Sequence, residues 1–122
     1  MTTEQVTHYR ELSAEYLDHA RALLAEGDLP QASEKGWGVA SVLVKAVAES
    51  RGWRHEGHRE LWWALAQLAD ETNDGEMRRQ FGLAGALHTN YYEAWLDEKA
   101  VAQYLGEVEQ LVEKLDGLAW RT

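Results

Sequence analysis

The sequence predicts an all-α fold of four or five helices, and three observations carry that expectation. Apolar residues recur at helical spacing through five successive segments of the 122-residue chain. The stretch from Val39 to Ala48 is apolar at all but Ser41 and Lys45, so a helix there needs cover on nearly every side. Gly, Asp and Asn residues fall between the segments and the single proline in the first turn of the second, where turns, caps and helix starts belong.

Residues 4–26 form the first expected helix, with Tyr9, Leu12, Tyr16, Ala20, Leu23 and Leu24 at helical spacing and Gly27 as its stop. The second runs over 29–51. Asp28 offers an N-cap, Pro30 sits in the first turn where its missing N–H is harmless, and Gly52 closes the helix. So short a connection makes these two helices antiparallel neighbours. Gly36 and Gly38 flank Trp37 in the second helix, each costing about 1 kcal/mol relative to Ala. Close approach of a neighbouring helix offsets that cost; a ligand or partner subunit packing there is the alternative.

The third helix is expected over 58–72, with Leu61, Leu65 and Leu68 inward and Trp62 and Trp63 flanking, before a turn at Asn73, Asp74 and Gly75. The fourth, over 75–96, carries an inward stripe of Met77, Phe81, Ala84, His88, Tyr91 and Trp95. Asp97 caps the fifth, over 98–118, whose Val101, Leu105, Val108, Leu111, Val112 and Leu115 make one face. Glu107, Glu109, Glu113 and Asp116 make an acidic face, expected to be solvated, with steering of a basic partner as the alternative.

Length implies one domain over 1–122 with one modest core, and 45% apolar with 27% charged residues is ordinary for a globular chain. Net charge is −9, which argues against a broad phosphate-tracking surface and confines any RNA site to a local patch. With no cysteine there is no thiolate chemistry, disulfide frame or Cys-ligated zinc. No stretch is long and apolar enough to span a bilayer, and the N-terminus lacks a signal-peptide pattern, so the expected location is cytoplasmic.

The residues able to do chemistry gather in two places. From Arg51 to Arg59 stand Arg51, Arg54, His55, His58 and Arg59 against Glu56 alone, a local excess of positive charge. His88 lies on the fourth helix with Asn90 and Glu93 close behind it. An imidazole with an ordinary pKa near 6.5 can serve as general acid or base at neutral pH, and arginine can stabilise a phosphorane. A hydrogen-bonded core histidine is the other reading of His88. Glu34 and Lys45 share a narrow polar strip of the second helix, as site residues or as a structural ion pair. His55 and His58 would need His88 or Glu34 as a third ligand to hold a metal, and none is expected. Neither a phosphate-binding glycine loop nor a Gly-x-Ser-x-Gly elbow occurs.

The strings ASEKGWGVASVLVKAVAESRGW, HEGHRELW and LHTNYYEAWL resemble the PaREP1 family, a branch of the HEPN superfamily, over roughly residues 5–115. The resemblance implies a compact four- to five-helix up-and-down bundle that assembles as a homodimer and associates with nucleotides or RNA. Many HEPN relatives are metal-independent ribonucleases with an Arg separated by four to six residues from a His. Four to six residues before His88 stand Gly82, Leu83 and Ala84, and the nearest upstream arginine is Arg79. Arg51 and His58 have the spacing, across a loop.

The expected function is a non-enzymatic module that binds a nucleotide, RNA or partner protein. Its candidate residues are Glu34, Lys45, Arg51, Arg54, His55, His58, Arg59, His88 and Asn90, with no cofactor. The alternative is a metal-independent ribonuclease in which His58 or His88 is the base and Arg51 or Arg54 stabilises the transition state. A third reading is a structural interaction domain built on the six tryptophans.

Overall fold

A computed structural model describes residues 3–119, and among them there are five α-helices and no strand. They are α1 (Thr3–Ala25), α2 (Leu29–Arg51), α3 (His58–Thr72), α4 (Glu76–Glu93) and α5 (Glu98–Asp116). The boundaries follow from local chemistry. The side chain of Asp28 accepts a hydrogen bond from Gln31 N, and that of Asp97 accepts one from Ala100 N, satisfying first-turn donors of α2 and α5. At the other end of α2, Gly52 takes a left-handed conformation (φ 74°) and its N–H returns to the carbonyls of Ala48 and Glu49.

α2 is the axis of the bundle and packs against all four other helices. Its Val39, Ala40, Val44, Ala46, Val47 and Ala48 are fully buried, as an almost wholly apolar stretch requires. α1 lies along it as an antiparallel partner, and Ser13 Oγ donates to the carbonyl of Val39 at 2.8 Å. The two α2 glycines are packing sites. A Cβ on Gly36 would stand 2.6 Å from Leu105 Cδ2 and 2.9 Å from Leu87 Cδ1, and one on Gly38 would stand 2.9 Å from the Tyr16 ring. Neighbouring helices close over the bare backbone there.

α4 ends earlier than its periodicity predicts. Ala94 adopts φ 53°, and the fully buried Asn90 reaches forward so that its Oδ1 accepts from Trp95 N (2.9 Å) and Leu96 N (2.8 Å). Those two bonds give the chain a side-chain alternative to another helical turn. Trp95 therefore leaves the predicted stripe and is 68% exposed. The buried face of α4 is Met77, Gln80, Phe81, Ala84, Leu87 and Asn90, so His88 and Tyr91 sit at its edge and not at its centre.

Among the described residues, three of the four on the acidic face of α5 are ion-paired, and Glu109 and Asp116 also stay open to solvent, 37% and 45% exposed. Arg79 of α4 pairs with Glu107, and Arg21 and Arg10 of α1 pair with Glu109 and Asp116. These pairs lace α5 to its neighbours. Among the described residues no helix is long and apolar enough to cross a membrane.

Candidate functional site

The half-open cluster at the meeting point of α2, α3 and α4 is built on Trp37. This indole is nearly buried, and the imidazoles of His58 and His88 lie against it at centroid distances of 5.2 and 5.3 Å. The two imidazoles are 5.5 Å apart. His88 Nδ1 lies 2.8 Å from Glu34 Oε1, and the two side chains are 28% and 34% exposed, so the pair is reachable from water. A carboxylate only accepts, so the Nδ1–H donates and the other ring nitrogen of His88 is left as the available site. Tyr92 meets His88 edge to face at 5.7 Å, and Trp62 meets Phe81 at 4.7 Å. Among the described residues no group of three His, Asp or Glu side chains is arranged to hold a metal.

Each ring is placed by helical register. Glu34 and Trp37 are three residues apart on α2, and His88 and Tyr92 four apart on α4. His58 opens α3 and Trp62 follows four residues later on the same face, toward α4. Arg59 and Trp63 repeat that spacing one residue further round, on the side that meets Trp53.

Around Trp53 and Trp63 lies a cavity of about 400 Å³, lined also by Arg54, Arg59 and Glu60. Arg54 pairs with Glu60 at 3.0 Å. Arg59 has no ion pair among the described residues.

The expected basic rim is thus divided. Arg51 makes two hydrogen bonds to Glu71, at 2.8 and 2.9 Å, which hold its guanidinium above its usual range. It also lies over the Trp53 ring at 5.4 Å. His55 turns away from the rim: its Nε2 bonds Glu49 at 2.9 Å, Tyr9 meets it edge to face, and its carbonyl accepts from Lys45 Nζ at 2.7 Å. Glu34 and Lys45 therefore have different partners and do not pair with each other. Asn90 belongs to the fold, since its Nδ2 donates to Ser33 Oγ at 3.0 Å while its Oδ1 holds the α4–α5 turn. Arg79, the arginine nearest upstream of His88, is held by Glu76 and Glu107.

Of the nine candidates, the structure brings Glu34, His58 and His88 into one cluster, and Arg54 and Arg59 to the Trp53/Trp63 cavity. Trp37, Trp53 and Trp63 were missed as site residues. The i,i+4 pairs His58/Trp62 and Arg59/Trp63 were the visible signal for an aromatic surface on α3. Of the six tryptophans, Trp120 lies outside the described residues.

A family model described as the archaeal PaREP1/PaREP8 family matches residues 8–112. No curated protein matches the chain. A crystal structure of a protein from Sulfolobus solfataricus is similar in fold, with a TM-score of 0.78 and 24% identity over 88% of this chain and 95% of that one.

Proposed function

The chain belongs to the archaeal PaREP1/PaREP8 family, and from that premise we propose that it is a HEPN-like module that binds a nucleotide or a short stretch of RNA without cleaving it. The observation that carries the reading is the placing of His58 and His88 on Trp37, while Arg59, the residue after His58, edges the Trp53/Trp63 cavity with Arg54. Aromatic faces beside cations suit bases joined by phosphates, because stacking and charge are satisfied together. Such a local patch is compatible with a chain of net charge −9. Binding is favoured over cleavage because Arg51 and Arg54, the two arginines expected to stabilise a phosphorane, already face Glu71 and Glu60.

The reading includes a homodimer, supported by Trp62 and Tyr92, which border the cluster and are 39% and 70% exposed. It also includes a cytoplasmic location, where nucleotides are. Melting the purified protein with nucleotides and short RNAs tests the binding: a ligand-dependent rise in Tm is expected, and no rise across the series would overturn it.

One observation favours the ribonuclease reading. Glu34 fixes the ring of His88 through Nδ1, and a second imidazole lies beside it, so one could accept a proton while the other supplies one. Incubation of RNA with excess protein and a chelator separates the two readings. Intact RNA supports binding alone, whereas cleavage lost in His88→Ala would establish the enzyme.

A further inference from the structure

Resting on the nucleotide reading above, the geometry points to the corner between Trp53 and Trp63 as a seat for one unstacked nucleobase, its phosphate held by Arg59. The two indoles meet at 78° with centroids 5.2 Å apart, so they form two walls at nearly a right angle. A flat ring laid on one wall presents its edge to the face of the other, and both contacts are favourable for an aromatic ligand. The cavity of about 400 Å³ lies within the range of small-ligand sites.

The walls are held from behind. The backbone N–H of Trp53 donates to the carbonyl of Ala48 at 2.9 Å, and the guanidinium of Arg51, itself tied to Glu71, lies over the Trp53 ring. Trp63 stands on the second turn of α3, four residues after Arg59. A site whose rings are already placed loses little freedom when a ligand enters.

Charge sets the class of ligand. Arg54, Arg59 and Glu60 line the cavity, and Glu60 is matched by Arg54, which leaves the Arg59 charge uncompensated. A cationic ring would meet the uncompensated Arg59 guanidinium and is disfavoured. A neutral planar ring joined to an anion meets the indoles with its face and Arg59 with its charge. The base must be unstacked, since in a duplex both of its faces are covered by neighbours. The protein therefore selects mononucleotides or single strands over duplex, and purines over pyrimidines because their ring area is larger.

The test is isothermal titration of the full-length protein with adenosine, adenosine monophosphate, uridine monophosphate, a single-stranded oligoadenylate and the same strand in a duplex. The expected order is adenosine monophosphate tighter than uridine monophosphate, and the single strand at least about 10-fold tighter than the duplex. Trp63→Ala lowers affinity by about 10-fold or more, within the range of one lost base stack, while Trp63→Phe keeps most of it. Arg59→Ala brings the monophosphate down to the affinity of adenosine. Trp63 is 50% exposed, so both Trp63 variants fold, and circular dichroism verifies it. Wild-type binding that survives Trp63→Ala, or equal affinity for duplex and single strand, overturns this inference alone. Absence of any binding by the wild type overturns the nucleotide reading as well.

Discussion

His88 Nδ1 and Glu34 Oε1 lie 2.8 Å apart, 54 residues apart in sequence, and this contact joins α4 to α2 at the mouth of the candidate site. A hydrogen bond between side chains that are about a third exposed contributes about 0.5–1.5 kcal/mol at most, so its value to the fold is small. His88→Phe keeps a flat ring on Trp37 and removes the ring nitrogens. The expected result is a stability change within about 1 kcal/mol in urea melts, together with loss of nucleotide-induced stabilisation. Unfolding of the variant would make His88 a core residue and nothing more.

The glycines give opposite signs. Gly36→Ala places a methyl 2.6 Å from Leu105 Cδ2 inside the core, a strain of about 1–3 kcal/mol against a helix-propensity gain of about 1. Net destabilisation is expected. On α4 a Cβ at Gly85 meets nothing within 4 Å, so Gly85→Ala gains up to about 1 kcal/mol. Thermal melts of the two variants moving in the same direction would contradict the packing described.

Asn90→Ala removes the acceptor for Trp95 N and Leu96 N and the donor to Ser33. A loss of about 2–4 kcal/mol is expected, because buried groups are left without partners. Asn90→Asp keeps the acceptor but places an ionisable carboxyl at a fully buried position, so a loss at least as large is expected at neutral pH. Chemical denaturation of both variants measures the difference.

Acid weakens the polar lace between α4 and α5. The Lys114 hydrogen bond lowers Asp74, the Arg79 hydrogen bond lowers Glu76, and the Gln80 hydrogen bond followed by that of Arg79 lowers Glu107. A carboxyl depressed in the folded state contributes stability that is present above its unfolded pKa of about 4 and lost as pH falls through its folded value. Tm is therefore expected to hold from about pH 7 to 5 and to decline below about 4. Arg79→Met makes that decline shallower; an unchanged acid profile in the variant would contradict the assignment.

The sequence exposes some of this architecture and hides the rest for physical reasons. Helix ends marked by a side-chain cap or a glycine, such as Asp28, Gly52 and Asp97, are legible because the signal is local. The end of α4 carries no such mark: it depends on Asn90 reaching five and six residues forward, and Ala94 takes a left-handed conformation that its side chain does not announce. Glu34 and His88 are each visible as polar residues on apolar helices, but their contact is made by the packing of α2 on α4. The same holds for Arg51 with Glu71, 20 residues apart, and for Lys45 with the carbonyl of His55. A positive cluster in sequence becomes partly neutral once folded, because its partners come from elsewhere in the chain.

The most direct test of the central claim is a nuclear magnetic resonance titration of the labelled protein with adenosine monophosphate and with a short unpaired RNA. Shifts are expected to concentrate on the indole N–H signals of Trp53 and Trp63 and the imidazole signals of His58 and His88. Shifts confined to the α1–α5 side of the bundle, or none at saturating ligand, would contradict it.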